Sequence, residues 1–199
     1  NRVYGTGHSM GGGFTNHLSC TSNLFTALGS SGGWVNSNYV SSANGNMSEL
    51  CDPMTTGFAI PTIHSHGIGD QTVPVMWGKN AAFSASSRNL CNDPLDVFLQ
   101  VDWGVLSYYG EVNTDYFDDV LDDFLFTADT IQYDGDIQHY QWSRGCHTEP
   151  NTELILLPSE GHAWHQPWNS PISTPLEHWN FLKQFSKDKM GPVLDSLAL

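Results

Sequence analysis

The stretch at residues 2–13, RVYGTGHSMGGG, constrains the fold more than any other part of this chain. Residues 2–7 read as a short buried strand. The strand runs directly into Gly7-His8-Ser9-Met10-Gly11, and residues 10–19 read as a helix with Phe14 and Leu18 on one face at the i, i+4 spacing. A strand that becomes a helix within so few residues crowds its own backbone. Gly7 and Gly11 lack a Cβ, so strand and helix can approach closely around Ser9. The serine oxygen then rises above the sheet edge, and the first N–H groups of the helix point at the same spot. That is the arrangement of a nucleophile elbow, with the Met10 N–H as one oxyanion donor. The bland alternative is a glycine-rich turn with a chance serine.

The rest of the chain alternates between strand and helix patterns. Residues 25–30 read as a second strand, 30–57 as a loop rich in Ser, Asn and Gly, and 59–66 as a third, buried strand ending in the loop 67–70. A helix is expected from about 75 to 87. Residues 137–142 and 152–158 read as the two strands of a hairpin. The closing helix, 175–187, carries Leu176, Trp179, Phe181, Leu182 and Phe185 on its apolar face. This alternation predicts an α/β fold, a mainly parallel sheet flanked by helices. A chain of 199 residues is most simply one domain spanning 1–199.

Residues 92–136 break the pattern. A strand at 97–103 precedes an acidic, aromatic segment in which Phe117, Val120, Leu121, Phe124 and Leu125 recur at helical spacing. The stretch reads as a cap-like insertion. Its carboxylates suit a solvated face, a lid, or a calcium site at Asp129, Asp134 and Asp136, although the full calcium-loop pattern is absent.

A serine nucleophile needs a base to take its proton and an acid to hold the base's tautomer. Ser9, Asp70 and His162 each follow a predicted strand, and parallel strands gather their C-terminal ends on one sheet edge. The order serine, acid, histidine is that of the α/β hydrolases. Rivals exist for each partner. His165 lies close to His162, but Gly161 before His162 permits the tight loop a base needs. Asp93 and Asp96 rank below Asp70, which directly follows a buried strand. His8 sits inside the elbow, where it would flank the nucleophile and shape a pocket. His64 and His66 suit buried, hydrogen-bonded positions. Trp34, Trp77, Trp103, Trp164 and Trp168 suit either the core or a substrate groove.

Formal net charge is −14, with seven Lys plus Arg, so nucleic acid and anionic membranes are poor partners. No apolar run reaches membrane-spanning length. A chain opening on Asn1 reads as a processed or truncated product. None of Cys20, Cys51, Cys91 and Cys146 forms a C-x-x-C pair, so zinc is not expected. An even count at wide spacing suits two disulfides in a secreted or periplasmic protein; four buried thiols are the alternative.

Three motifs point to one family: R-V-Y-x-x-G-x-S-x-G-G at residues 2–12; H-G-x-x-D-x-x-V-P in His66, Gly67, Asp70, Val73 and Pro74; and G-H-x-W in Gly161, His162 and Trp164. Together with the cysteine placement they resemble the esterase family of polyhydroxybutyrate depolymerases and feruloyl esterases. The resemblance covers residues 1–90 and 137–187 and leaves 92–136 largely unmatched. It implies an α/β-hydrolase fold, catalysis by Ser9, Asp70 and His162 without metal or cofactor, and bridges Cys20–Cys51 and Cys91–Cys146. The family carries further strands upstream of the elbow, along with the loop giving the second oxyanion donor. A longer chain, a partner chain, or strands from the insertion is therefore expected to complete the sheet.

The resulting expectation is a secreted serine esterase acting on carboxylic esters of a polymer, a polyester or a feruloylated polysaccharide. His8 and Trp164 would contact the substrate. An acetyl-xylan esterase, a lipase or a peptidase with the same triad is the enzymatic alternative. A non-catalytic, hydrolase-like binding domain is the alternative from outside enzymes.

Overall fold

The computed structural model describes residues 2–34, 59–89, 122, 125–143 and 151–187. Its elements, in chain order, are β1 (Tyr4–His8), α1 (Met10–Thr21), β2 (Ala27–Ser31), β3 (Thr62–Gly67), α2 (Val75–Arg88), β4 (Thr130–Asp134), β5 (Ile137–Trp142), β6 (Thr152–Leu157) and α3 (Thr174–Leu182). They form a mixed sheet of six strands in the order β1-β2-β3-β6-β5-β4, flanked by helices. β1, β2, β3 and β6 run parallel, and β5 and β4 continue the sheet antiparallel. The expected hairpin between 137–142 and 152–158 is present as the β5–β6 pair.

The central strands β2, β3 and β6 are buried at every position. This is the pattern of strands covered on both faces. Along β6, Leu154 and Leu156 enter a core with Ala82, Phe83, Tyr140 and Trp142. Ile155 and Leu157 point the other way, to Ala27, Ile63, Phe181, Leu182 and Phe185. Period-2 alternation thus divides one strand between two cores. α1 and α2 cover the first face. Asn16 of α1 bonds Ser30, and Gly78 of α2 packs on His66, whose side chains share that face. α3 covers the opposite face through His178, which bonds Ser65.

The structure corrects three expectations. Residues 2–7 are not a buried strand: β1 is half-exposed at the end of the sheet among the described residues. On α1, the buried face consists of Gly12, Thr15, Asn16 and Ser19, while Phe14 is 60 % exposed. Small side chains win there because the helix lies close on the sheet: a Cβ at Gly12 would come within 2.9 Å of the Ser31 carbonyl oxygen. Finally, the insertion expected at 92–136 overlaps the sheet, since residues 130–134 are β4. Alternating Thr130-Ile131-Gln132-Tyr133-Asp134 suits an edge strand, and Gly135 at φ 59° makes the tight turn into β5. Leu125 packs into the first core, and Lys79 on α2 pairs with Asp122. The strand expected at 97–103 and most of the expected acidic helix lie outside the described residues, as do Cys51, Cys91 and Cys146.

Candidate active site

Ser9 occupies the junction between β1 and α1 with φ 57° and ψ −122°. It is the one non-glycine residue with positive φ among the described residues. Such a conformation costs about 1–3 kcal/mol and persists only where the surroundings enforce it. Here the Ser9 N–H donates to Ser31 O at 2.9 Å, and the Gly13 N–H donates to Ser9 O at 2.9 Å. Gly7 is indispensable to the turn, since a Cβ there would meet Gly11 O at 2.3 Å. Gly11 itself faces open space, so the close approach rests on Gly7 and Gly12 rather than on the expected pair.

Ser9 is also the N-cap of α1, where serine normally accepts a helix N–H. It makes no such bond; its Oγ lies 2.7 Å from His162 Nε2 instead. His162 Nδ1 lies 2.6 Å from Asp70 Oδ2. An ionised carboxylate only accepts, so Nδ1 carries the proton and Nε2 accepts from the serine hydroxyl. Ser9, Asp70 and His162, predicted from three separate motifs, thus stand in one hydrogen-bonded line. The parallel strands explain why: Ser9 follows β1, Asp70 follows β3 and His162 follows β6, all at one sheet edge.

Loop-to-loop bonds set the acid against the base. The Gly69 N–H donates to Glu160 O at 2.9 Å, and the Ile68 N–H donates to Leu157 O at 2.9 Å. The contact requires a glycine at 67, where a Cβ would come within 2.4 Å of Glu160 O. Asp70 Oδ1 accepts the N–H groups of Thr72 and Val73, both at 2.8 Å, leaving Oδ2 for His162. Burial of Asp70 opposes its ionisation. The bonds from Val73, His162 and Thr72 outweigh that and hold its carboxyl below the ordinary value. His66 is buried behind the acid. Its Nε2 donates to Val73 O at 2.8 Å and lies 3.4 Å from Asp70 Oδ2.

The ring of His8 lies 4.8 Å from that of His162 and 5.8 Å from that of Trp164. Of the two residues expected at the substrate, His8 therefore adjoins His162, and Trp164 packs behind His8. His165, the rival base, is buried and points its Nδ1 toward Glu160 at 3.4 Å. Asp93, Asp96 and Trp103 lie outside the described residues. Burial lowers the pKa values of His8, His66 and His165, and His162 adds repulsion at each. At neutral pH these rings are uncharged, so none opposes a positive charge forming on His162. Trp168 is 81 % exposed, and Trp34 lies across Gly13. The Asp129 carboxylate accepts from Ser143, and among the described residues no three His, Cys, Asp or Glu side chains gather as a metal site. No described helix is long and apolar enough to cross a membrane.

Sequence reasoning passed over two residues here. Gly32, at φ 52°, lies where a Cβ would come within 3.4 Å of the His162 ring. His178 lies beneath the sheet, and nothing in its helix marks it out from sequence. The fold and this geometry bring a serine hydroxyl, an imidazole and a carboxylate into one line at the strand ends of a mixed α/β sheet. No protein-family model matches the chain, and no curated protein sequence matches it.

Proposed function

We propose that this chain is a serine esterase of the α/β-hydrolase type, related to the polyhydroxybutyrate depolymerases and feruloyl esterases. The observation that carries the reading is the continuous line Ser9 Oγ–His162 Nε2, 2.7 Å, and His162 Nδ1–Asp70 Oδ2, 2.6 Å, built on a strained elbow. A binding domain has no need of a serine turned away from its own helix cap toward a histidine.

In the proposed reaction, Ser9 Oγ attacks the ester carbonyl carbon as its proton passes to His162 Nε2. Asp70 stabilises the imidazolium that forms. The Met10 N–H, at the start of α1, is assigned to the oxyanion. Collapse of the tetrahedral adduct breaks the carbon–alkoxy bond, and the leaving alcohol takes the proton from His162. Water then attacks the acyl-serine by the same route, releasing the acid and restoring Ser9.

The substrate class follows the motif resemblance: esters of a polymer, either a polyhydroxyalkanoate or other polyester, or a feruloylated polysaccharide. Secretion and the Cys20–Cys51 and Cys91–Cys146 bridges belong to the same proposal. The test is hydrolysis of p-nitrophenyl acetate and butyrate by wild type and Ser9→Ala, with fluorophosphonate labelling of Ser9. Loss of about 10³-fold or more in kcat is expected for the variant. Equal turnover by both would overturn the assignment, and an inert wild type would favour the binding domain. Release of hydroxybutyrate or ferulate from the polymers then separates the substrates.

A further inference from the structure

His178 is the least expected residue in the second core. It lies on the sheet-facing side of α3, 1 % exposed, on a buried face shared with Thr174, Phe181 and Leu182. Its Nδ1 lies 2.7 Å from Thr6 Oγ1 on β1, and its Nε2 lies 3.1 Å from Ser65 Oγ on β3. Between those strands runs β2, where a Cβ at Gly29 would come within 2.6 Å of Nδ1. The ring therefore fills a space that only a glycine leaves, and it bridges strands that are not neighbours. Burial alone lowers its pKa to about 3. A neutral imidazole, with one donor and one acceptor nitrogen, matches two hydroxyls that can each play either part.

Two lines of contact run from this ring to His162. On one side, Trp164 meets His178 edge-on at 5.9 Å and meets His8 edge-on at 5.8 Å; His8 in turn lies 4.8 Å from His162. On the other, Ser65 holds His178 with its side chain and accepts the Gly32 N–H on its carbonyl at 2.8 Å. Gly32 in turn borders the rings of His8 and His162. We propose that His178 is a positioning residue for His162, setting the seat of that imidazole through Trp164 and through the Ser65–Gly32 backbone. The inference rests on the triad reading above. It also gives Trp164 a different part from the substrate contact expected of it. A ring displaced by a fraction of an ångström would weaken both ends of the Ser9–His162–Asp70 line at once.

The test compares His178→Phe, His178→Gln and Phe83→Leu, the last a loss of packing in the opposite core. Two readouts apply: kcat and KM for p-nitrophenyl acetate, and the downfield proton NMR signal of the His162–Asp70 hydrogen bond, which needs no substrate. His178→Phe is expected to lower kcat by about 10- to 100-fold with KM little changed, and to broaden or shift the proton signal. His178→Gln, whose amide can bond one hydroxyl, is expected to recover part of both. Phe83→Leu is expected to lower the melting temperature while leaving kcat and the signal intact. Unchanged kcat and signal in a folded but less stable His178→Phe would overturn the proposal and leave His178 as a mere staple. Should that variant not fold, Trp164→Leu carries the same decision: an intact signal and kcat overturn it, and loss of both supports it. If wild type hydrolyses no faster than Ser9→Ala, the esterase reading fails, and the proton signal alone judges the positioning role.

Discussion

At Ser9 two local preferences are overridden together. A serine at a helix N-cap would ordinarily accept a helix N–H, worth about 1 kcal/mol, and would avoid positive φ. Here it does neither, and its hydroxyl is delivered to His162 instead. Asp70 shows the opposite economy, with two backbone N–H groups on Oδ1 and the base on Oδ2. Its role makes a direct prediction. Asp70→Asn should lower kcat for p-nitrophenyl acetate by about 10⁴-fold at neutral pH, because an amide at that position permits the wrong tautomer of His162. The loss should leave KM nearly unchanged. Retention of more than a tenth of the wild-type kcat would show that the acid lies elsewhere.

At the scale of elements, the elbow separates two glycines that look equivalent in sequence. Gly7→Ala forces a Cβ against the Gly11 carbonyl and must push β1 away from α1. A loss of about 3 kcal/mol or more is expected, at the high end for a single substitution, with kcat falling alongside. Gly11→Ala meets nothing within 4 Å and lies inside the helix, so stability should change by less than about 1 kcal/mol, in the stabilising direction. Urea unfolding of the two variants checks both expectations, and equal losses would contradict this account of the turn. The same close approach explains the buried face of α1. Where helix and sheet nearly touch, Gly12, Thr15, Asn16 and Ser19 fit, and Phe14 must face out.

For the molecule as a whole, His178 couples folding to pH. Its folded pKa of about 3 lies below the ordinary value of 6.5, so the unfolded chain binds the proton more readily. The stabilisation is therefore full above about pH 6.5 and is lost as pH falls toward 3, at about 1.4 kcal/mol per pH unit. Asp70, with its carboxyl held below the ordinary value, adds to the loss only at lower pH. Denaturant unfolding between pH 7 and pH 5 should show a slope in His178→Phe shallower than wild type by on the order of 2 kcal/mol, the remaining loss belonging to His8, His66 and His165, whose pKa values burial also lowers. Parallel slopes would place the titration in other groups. The disulfide proposal is checked at the same scale: a non-reducing peptide map should link Cys20 to Cys51 and Cys91 to Cys146, and free or otherwise paired thiols would reject it.

Sequence alone determined what is local or repeats along the chain. The glycine–serine turn, the alternation of strand and helix, and the buried strand within 59–66 follow from backbone sterics and hydrophobic period. The order Ser9, Asp70, His162, each just past a strand end, was readable because parallel strands bring such ends together. Other features required the tertiary structure. β4, the last strand of the sheet among the described residues, is partly exposed and lies inside an acidic segment, and its weak apolar signal is overridden by pairing with β5. The exposure of Phe14 follows from how closely α1 approaches the sheet. His178 bonds residues on two strands far away in sequence, at a gap left by a glycine on a third, and no spacing along one chain encodes that meeting. The reactive serine belongs to local sterics; the seat of the histidine beside it belongs to packing between distant elements, which only the folded chain defines.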